Sequence, residues 1–312
     1  VSYIRCHKCD QHAAMRMKHH RLNLCADHYI EYIQKQTLRS IKKYRMFAHS
    51  ERVLVAVSGG KDSLALWDVL LTLGYKADGF YIDLGIDEGL GYSSKSRMTA
   101  EQFAQSKDAQ LTVVDFAGAY GLTIGELAKR TRRGTDKPCS VCGIAKRHTM
   151  NAITQKGGYD VIATGHNLDD EAAVLFSNTL RWDTDMMMRQ SPVLEARHGM
   201  PRKVKPFFRF YERETAAYAL LRGIDYIQDE CPFAEGSRTI ELKHLLNQLE
   251  DQSAGAKLNF YMNFLKAQEQ DFFNRDKDEA TRANLNRCLQ CGQPTTAEGL
   301  CGFCRLLAQS QR

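Results

Sequence analysis

The segment "VLVAVSGGKDSLALWDVLL", residues 53–71, constrains the chain most. An apolar run, a Gly-Gly turn, and then Leu64, Leu66, Trp67, Leu70 and Leu71 at helical spacing predict a buried strand, a tight turn and a helix packed back against it. Such a turn collects the first N–H groups of the helix and the positive end of its dipole, which makes it an anion site. Gly59 and Gly60 allow close backbone approach, Ser58 and Ser63 add hydroxyl donors, and Lys61 adds charge. Phosphate is the expected guest. The loop is not a Walker loop, because Val55 stands where the first Gly should be and Asp62 follows Lys61, so kinase-like transfer of a γ-phosphoryl group is disfavoured.

Around this unit the pattern is α/β. "RVLVAV", "ADGFYIDL", "LTVVDF" and "DVIATG" read as strands separated by helical or loop material, which implies a mostly parallel sheet covered on both faces. "YERETAAYALLRGI", "TIELKHLLNQLE" and "AKLNFYMNFLKAQEQDFF" read as further helices, and no internal repeat is visible. In "ATGHNLDDEAAVLFSN" a strand ends at Thr164, Gly165 permits approach to a ligand, and Asp169 and Asp170 open a helix. The two acids suit either helix capping or Mg²⁺ beside a polyphosphate.

Both ends of the chain lose aliphatic periodicity and gain cysteine. Cys6, Cys9, Cys25 and His28 form two x₂ pairs in a zinc-knuckle pattern, with His7, His12, His19 and His20 as competitors for the fourth place. Cys288, Cys291, Cys301 and Cys304, with Gly after Cys291 and Cys301, form a Cys₄ zinc ribbon. Both sets are closed by four ligands, so zinc is expected to be structural. The expected units are a zinc finger and basic helix over 1–49, the nucleotide domain over 50–240, a helical segment over 241–280 and the ribbon over 281–312. Cys139, Cys142 and Cys231 remain. They suit a [4Fe-4S] cluster with one open iron, a persulfide and resolving-thiol pair, or a buried Cys231 beside an ordinary Cys pair.

Net charge is +6, but residues 1–50 carry ten Lys/Arg against three Asp/Glu, and Lys129 to Arg147 carries seven basic residues against Asp136. Beside metal modules and a nucleotide loop, these runs read as a polyanion track. Ten cysteines in metal-like spacings indicate a reducing compartment rather than disulfides. The polar, His-rich first residues and the absence of a long apolar run predict neither signal peptide nor membrane helix, hence the cytoplasm.

"SGGKDS" after a strand resembles the PP-loop of the ATP pyrophosphatases, which cleave ATP between the α and β phosphates. With "CSVCGIAKR", "ATGHNLDDEAAVLF", "VKPFFRF", "LLRGI", "DECPFA" and "CGQPTT", nearly the whole chain is similar to the TtuA-type tRNA 2-thiouridine synthases, relatives of the TtcA 2-thiocytidine enzymes. The resemblance implies a Rossmann-like PP-loop domain flanked by zinc-finger modules, and an oxygen-sensitive [4Fe-4S] cluster on Cys139, Cys142 and Cys231. It places ATP contacts at Ala56, Ser58, Asp62, Ile82, Lys146 and Gly165, and makes Asp62, Lys146 and Asp170 the polar residues to mutate first.

The implied reaction transfers AMP to the C2 oxygen of a tRNA uridine, a T-loop ribothymidine in the family, after which sulfur attacks C2 and AMP leaves. Mg²⁺ would stabilise the departing pyrophosphate. The family also implies a ubiquitin-like carrier with a C-terminal thiocarboxylate as sulfur donor, and a homodimer. Seventeen Gln, ten Asn, ten Cys and ten Met are more than heat-adapted chains favour, which keeps a wobble uridine or a cytidine open as target. Other readings of the residues are a cluster-free persulfide thiolase, an RNA-binding protein whose loop only senses ATP, and small-molecule adenylation as in argininosuccinate or asparagine synthetases.

Overall fold

The computed structural model describes residues 4–311 except 88, 90, 198, 235–237, 271 and 273–284. The expected boundary at 280/281, and the end of the helix expected to reach Phe273, lie outside the described residues. The chain opens with a small hairpin, β1 (Met15–Met17) and β2 (Leu22–Leu24), followed by the long helix α1 (Ala26–Lys43). The sheet-forming region then runs β3 (Val53–Val57), α2 (Lys61–Thr72), β4 (Ala77–Asp83), α3 (Tyr92–Ser106), β5 (Leu111–Asp115) and the short helices α4 (Phe116–Tyr120), α5 (Ile124–Lys129) and α6 (Arg132–Asp136). It continues with α7 (Pro138–Gly157), β6 (Val161–Thr164), α8 (Leu168–Arg181), α9 (Thr184–Met188), β7 (Val193–Leu194), β8 (Arg202–Val204) and α10 (Glu212–Leu221). Two helices, α11 (Arg238–Gln252) and α12 (Ala256–Glu269), precede the hairpin β9 (Asn286–Arg287) and β10 (Pro294–Thr295) and the last helix α13 (Gly302–Ser310).

The central sheet has the order β5-β4-β3-β6-β8-β7, parallel except for β7, which runs antiparallel to β8. All four strands expected from the sequence are present. The two short strands β7 and β8 went unread, because three residues ending before Lys205-Pro206 carry too little alternation to signal a strand. Strand β3 is central and nearly continuous in apolar residues, as a parallel strand covered on both faces must be. Its neighbours β4 and β6 lead away in opposite directions along the sheet, so the carboxyl ends of β3 and β6 border the crevice where open α/β sheets bind ligands.

Helix α2 returns over the sheet with Trp67 fully buried, its indole N–H donating to Ala77 O at 2.9 Å. Asp68 on the same helix is also buried. It is satisfied by Lys107 at 2.7 Å, by Arg222 at 2.8 Å and by the Tyr218 hydroxyl at 2.7 Å, as a carboxylate out of water requires. One core includes Met17, Leu24, Tyr29 and Ile33 from the N-terminal segment together with the β3 strand and α2. A second core, with Phe116, Leu127, Val141 and Ala145, also holds Phe303, Leu306 and Leu307 of α13, so the C-terminal module packs against α5 and α7.

Candidate active site and metal centres

The nucleotide loop is built by backbone and small hydroxyls. Gly59 adopts φ +74°, and a Cβ there would stand 2.4 Å from Ser96 O, so both conformation and space require glycine. Gly60 caps α2 without a side-chain hydrogen bond, which leaves the N–H groups of the first turn facing the crevice. Ser63 Oγ accepts the Ser58 N–H at 3.1 Å and lies 3.2 Å from Ser58 Oγ, fixing both hydroxyls at the mouth of the loop. Gly165, just after β6, is needed for a reason of its own. A Cβ there would lie 2.8 Å from the backbone of Asp62 and Ser63, so this glycine lets two loops meet.

Charged groups from four elements converge beside the loop. Lys61 Nζ contacts Asp62 at 3.1 Å and Glu212 at 2.7 Å, while Lys243 Nζ of α11 contacts Asp170 at 2.6 Å and Glu212 at 3.1 Å. Asp62 also accepts from the Thr215 hydroxyl and, at 3.3 Å, from Asn167 Nδ2. Burial, helped by the charge of Asp170, pushes the Asp62 carboxyl up despite Lys61. Burial would raise Glu212 as well, but Lys61 and Lys243 together hold it at about 2. The two acids opening α8 have separated. Asp169 is buried and held by Lys257 at 2.5 Å and by the Glu212 N–H at 2.8 Å. Asp170 forms a capping box with Asn167 and also faces the crevice. Asp169 is thus a structural ion pair, and Asp170 both caps and remains available to a ligand.

The three remaining cysteines gather around the start of α7. Cys139 and Cys142 lie in its first turns, and Cys231 immediately precedes a 3-10 turn, Pro232–Ala234, whose Phe233 carbonyl accepts from the Cys139 thiol at 2.8 Å. Cys231 and Phe233 pack on the same core as Cys142. Burial first, then the charge of Cys231, pushes the Cys139 thiol up; burial does the same to Cys142, opposed by the charge of Lys146 one turn along the helix. Ile227 N–H donates to Gly59 O at 2.9 Å, so the chain entering Cys231 is tied to the nucleotide loop. Ile82 of β4 borders this same core, while Ala56 is the penultimate residue of β3, two before Ser58.

Among the described residues, two sets of possible ligands have their donor atoms all within 4.8 Å of one another: Cys6, Cys9, Cys25 and His28, and Cys291, Cys301 and Cys304 with His148. In the first, Cys9 and Cys25 sulfurs are 3.7 Å apart and His28 Nδ1 is 3.2 Å from Cys25 Sγ. Thiolates sharing one tetrahedral Zn²⁺ stand about 3.8 Å apart, so this set fits zinc. Although burial opposes it, backbone N–H groups around Cys6 bring its thiol down to about 6, favouring the thiolate that a metal needs. At the other end, Cys288 accepts the Cys301 N–H at 3.2 Å and, against burial, is likewise lowered to about 6 by backbone donors.

His148 of α7 was not anticipated there. It lies some 140 residues before the ribbon in a helical run, where no local spacing could mark it. Its ring stacks on Phe303 with centroids 4.2 Å apart, and its Nε2 is buried without a hydrogen-bond partner. Cys139, Cys142 and Cys231 form no comparably close set.

A PP-loop domain model matches residues 30–235, and a model described as the N-terminal LIM domain of the 2-thiouridine synthetase TtuA matches residues 5–30. The chain is 46% identical over 301 residues to the tRNA-5-methyluridine(54) 2-sulfurtransferase of Thermus thermophilus, covering 96% of this chain and 90% of that protein. The protein of the same name from Thermotoga maritima is 37% identical, with 99% and 98% covered. The cytoplasmic tRNA 2-thiolation protein 1 of Chlamydomonas reinhardtii is 30% identical, with 91% and 78% covered. The solved U34-tRNA thiolase NcsA from Methanococcus maripaludis, with its [4Fe-4S] cluster, shares the fold at a TM-score of 0.78 and 22% identity, covering 99% of this chain and 97% of that one. A PP-loop that leaves its helix uncapped, fused to a TtuA N-terminal module and aligned end to end with sulfurtransferases, leaves one assignment: the chain belongs to the TtuA family of PP-loop tRNA sulfurtransferases.

Proposed function

We propose that the chain replaces the C2 oxygen of 5-methyluridine 54 of tRNA with sulfur, cleaving ATP to AMP and pyrophosphate. The observation that carries this reading is the physical junction of nucleotide loop and cysteine trio: the Gly59 carbonyl holds Ile227 in the segment leading to Cys231, and Lys146 follows Cys142 by one turn of α7. The relatives of higher identity support the choice of nucleotide, since they are named for 5-methyluridine 54 at 37–46% identity.

A uridine carbonyl is a poor electrophile. Its O2 attacks the α-phosphorus of ATP, the bond to the β-phosphate oxygen breaks, and pyrophosphate leaves; a sulfur nucleophile then attacks C2, and AMP departs with the C–O electrons. The uncapped first turn of α2, Ser58, Gly59, Gly60, Lys61 and Ser63 receive the pyrophosphate, and Ala56, Ile82 and Gly165 border the nucleotide. Asp62 and Asp170 would hold Mg²⁺, which stabilises phosphate charge. Lys146 neutralises charge between ATP and the thiols. A [4Fe-4S] cluster on Cys139, Cys142 and Cys231 would supply, when bound, an iron open to sulfide. Zinc on the two terminal sets is structural.

The exposed bases Lys35, Arg39, Lys42 and Lys43 of α1, with Lys129, Arg130, Arg132 and Arg133 beside Cys139, offer phosphate contacts to tRNA. A ubiquitin-like thiocarboxylate carrier is the sulfur donor in this reading. A homodimer is supported by Val174, Leu245 and Leu249, which face outward on the packed pair α8 and α11. No helix among the described residues is long and apolar enough to cross a membrane, and we place the work in the cytoplasm with tRNA.

The test is anaerobic reconstitution with tRNA, ATP and sulfide, followed by mass spectrometry of tRNA nucleosides. The expected product is 5-methyl-2-thiouridine, with AMP and pyrophosphate in equal amounts, from protein holding about four irons per chain; Cys231→Ala should lose the iron and its broad absorption. Full thiolation by iron-free protein would favour a persulfide on Cys139 or Cys142, and thiolation only of wobble uridine or of cytidine would reject the nucleotide proposed.

A further inference from the structure

The charged network beside the nucleotide loop contains a cation from outside the matched PP-loop domain. Lys243 is in α11, beyond residue 235, yet its ammonium reaches Asp170 at 2.6 Å and Glu212 at 3.1 Å, and Glu212 in turn holds Lys61. Asp62, Asp170 and Glu212 bring three negative charges against two ammonium groups. That is the wrong sign for a site that must receive a polyphosphate. The imbalance is removed when a divalent cation enters, because hard carboxylate oxygens are its preferred ligands and ammonium groups displaced from them find phosphate oxygens instead. The partners of Lys243 are half-exposed carboxylates at a crevice rather than buried structural acids, and its own side chain keeps 22% of its surface open. Lys257, 4% exposed on buried Asp169, shows what a purely structural lysine looks like in the same fold.

We propose that Lys243 is a ligand of the β- and γ-phosphates of ATP, and of the pyrophosphate formed from them, parked on Asp170 and Glu212 until the nucleotide and its divalent cation arrive. This rests on the PP-loop reading of the ATP site. It predicts discrimination by phosphate number, since AMP lacks the groups that Lys243 would meet. Without nucleotide the lysine also shields Asp170 and Glu212 from one another.

The experiment is titration calorimetry on the full chain with Mg²⁺ and, separately, ATP, pyrophosphate and AMP. Lys243→Met should weaken ATP and pyrophosphate by about ten- to a hundredfold, as loss of a charge-assisted hydrogen bond does, and leave AMP within about twofold; Lys243→Arg should restore most of the affinity. Acetylation footprinting of the unmutated chain gives an independent readout: Mg²⁺ with pyrophosphate should protect Lys243, and AMP should not. Equal loss of ATP and AMP, or protection by neither phosphate ligand, would overturn the proposal and leave Lys243 a structural counter-charge. Failure of the wild-type chain to bind ATP at all would instead remove the PP-loop reading beneath it.

Discussion

Two adjacent acids show how much one residue's surroundings decide. By sequence Asp169 and Asp170 each suit a cap or Mg²⁺, with Asp170 the stronger candidate for a ligand, and the structure gives the two different partners. Asp169 is buried and neutralises Lys257, itself buried, so Asp169→Ala leaves a buried ammonium without a counter-charge. That loss should cost about 3–5 kcal/mol in urea unfolding. Asp170→Ala loses a half-exposed cap contact, about 1 kcal/mol, but should abolish pyrophosphate release. Equal destabilisation by the two substitutions would refute this division. The glycines were easier to read than the acids: Gly59 signalled a turn from its neighbours alone, whereas the reason for Gly165, the backbone of Asp62 and Ser63, is a contact made across a hundred residues of chain.

At the scale of elements, α7 gathers more chemistry than its sequence announces. Cys139, Cys142 and Lys146 were visible as a motif, and their spacing of three and four residues puts them along one helix face. His148, two residues further, turns instead toward the terminal ribbon. Five donors surround a place where tetrahedral zinc takes four. Backbone N–H groups favour the thiolate of Cys288, in the manner of Cys6 at the other end, while the imidazole of His148 stacks on Phe303. The arrangement favours a Cys₄ site with His148 packed beside it, its ring on Phe303 and its Nδ1 3.4 Å from the Tyr120 hydroxyl, an outer contact that orients the site. Cys288→Ser should therefore lower zinc content by one ion per chain, and His148→Ala should keep the zinc but release it faster to a chelator. Loss of the ion from His148→Ala with retention by Cys288→Ser would reverse the assignment. Long-range partners of this kind, like Glu212 and Lys243 at the nucleotide loop, leave no trace in local spacing, because the fold alone brings them together.

Across the whole molecule, the two terminal cysteine modules are continuous with different parts of the PP-loop domain. Periodicity revealed the central strands and main helices, since each is decided by apolar residues a few positions apart, but it could not show which core each terminus joins. The N-terminal module buries Met17, Leu24 and Tyr29 in the core of the sheet, and Tyr29 donates to Glu214 O at 2.8 Å. His19 lies against Tyr211 and 3.2 Å from Glu214, both at the start of α10, whose first residue is Glu212. The C-terminal module instead packs on α5 and α7, under the three clustered cysteines. Disrupting the first cysteine set should consequently disturb the nucleotide site, and disrupting the second should disturb the iron site proposed on Cys139, Cys142 and Cys231. Cys9→Ser should lower thermal stability and ATP affinity while leaving anaerobically reconstituted iron near that of the unmutated chain. Cys291→Ser should leave ATP affinity unchanged and shorten the lifetime of the iron chromophore. Calorimetry for ATP and the decay of visible absorption after a chelator is added read the two effects separately. The coupling is wrong if both variants lose both properties equally, or if loss of the N-terminal zinc leaves ATP binding untouched, for then α10 would hold its position without the module packed behind it.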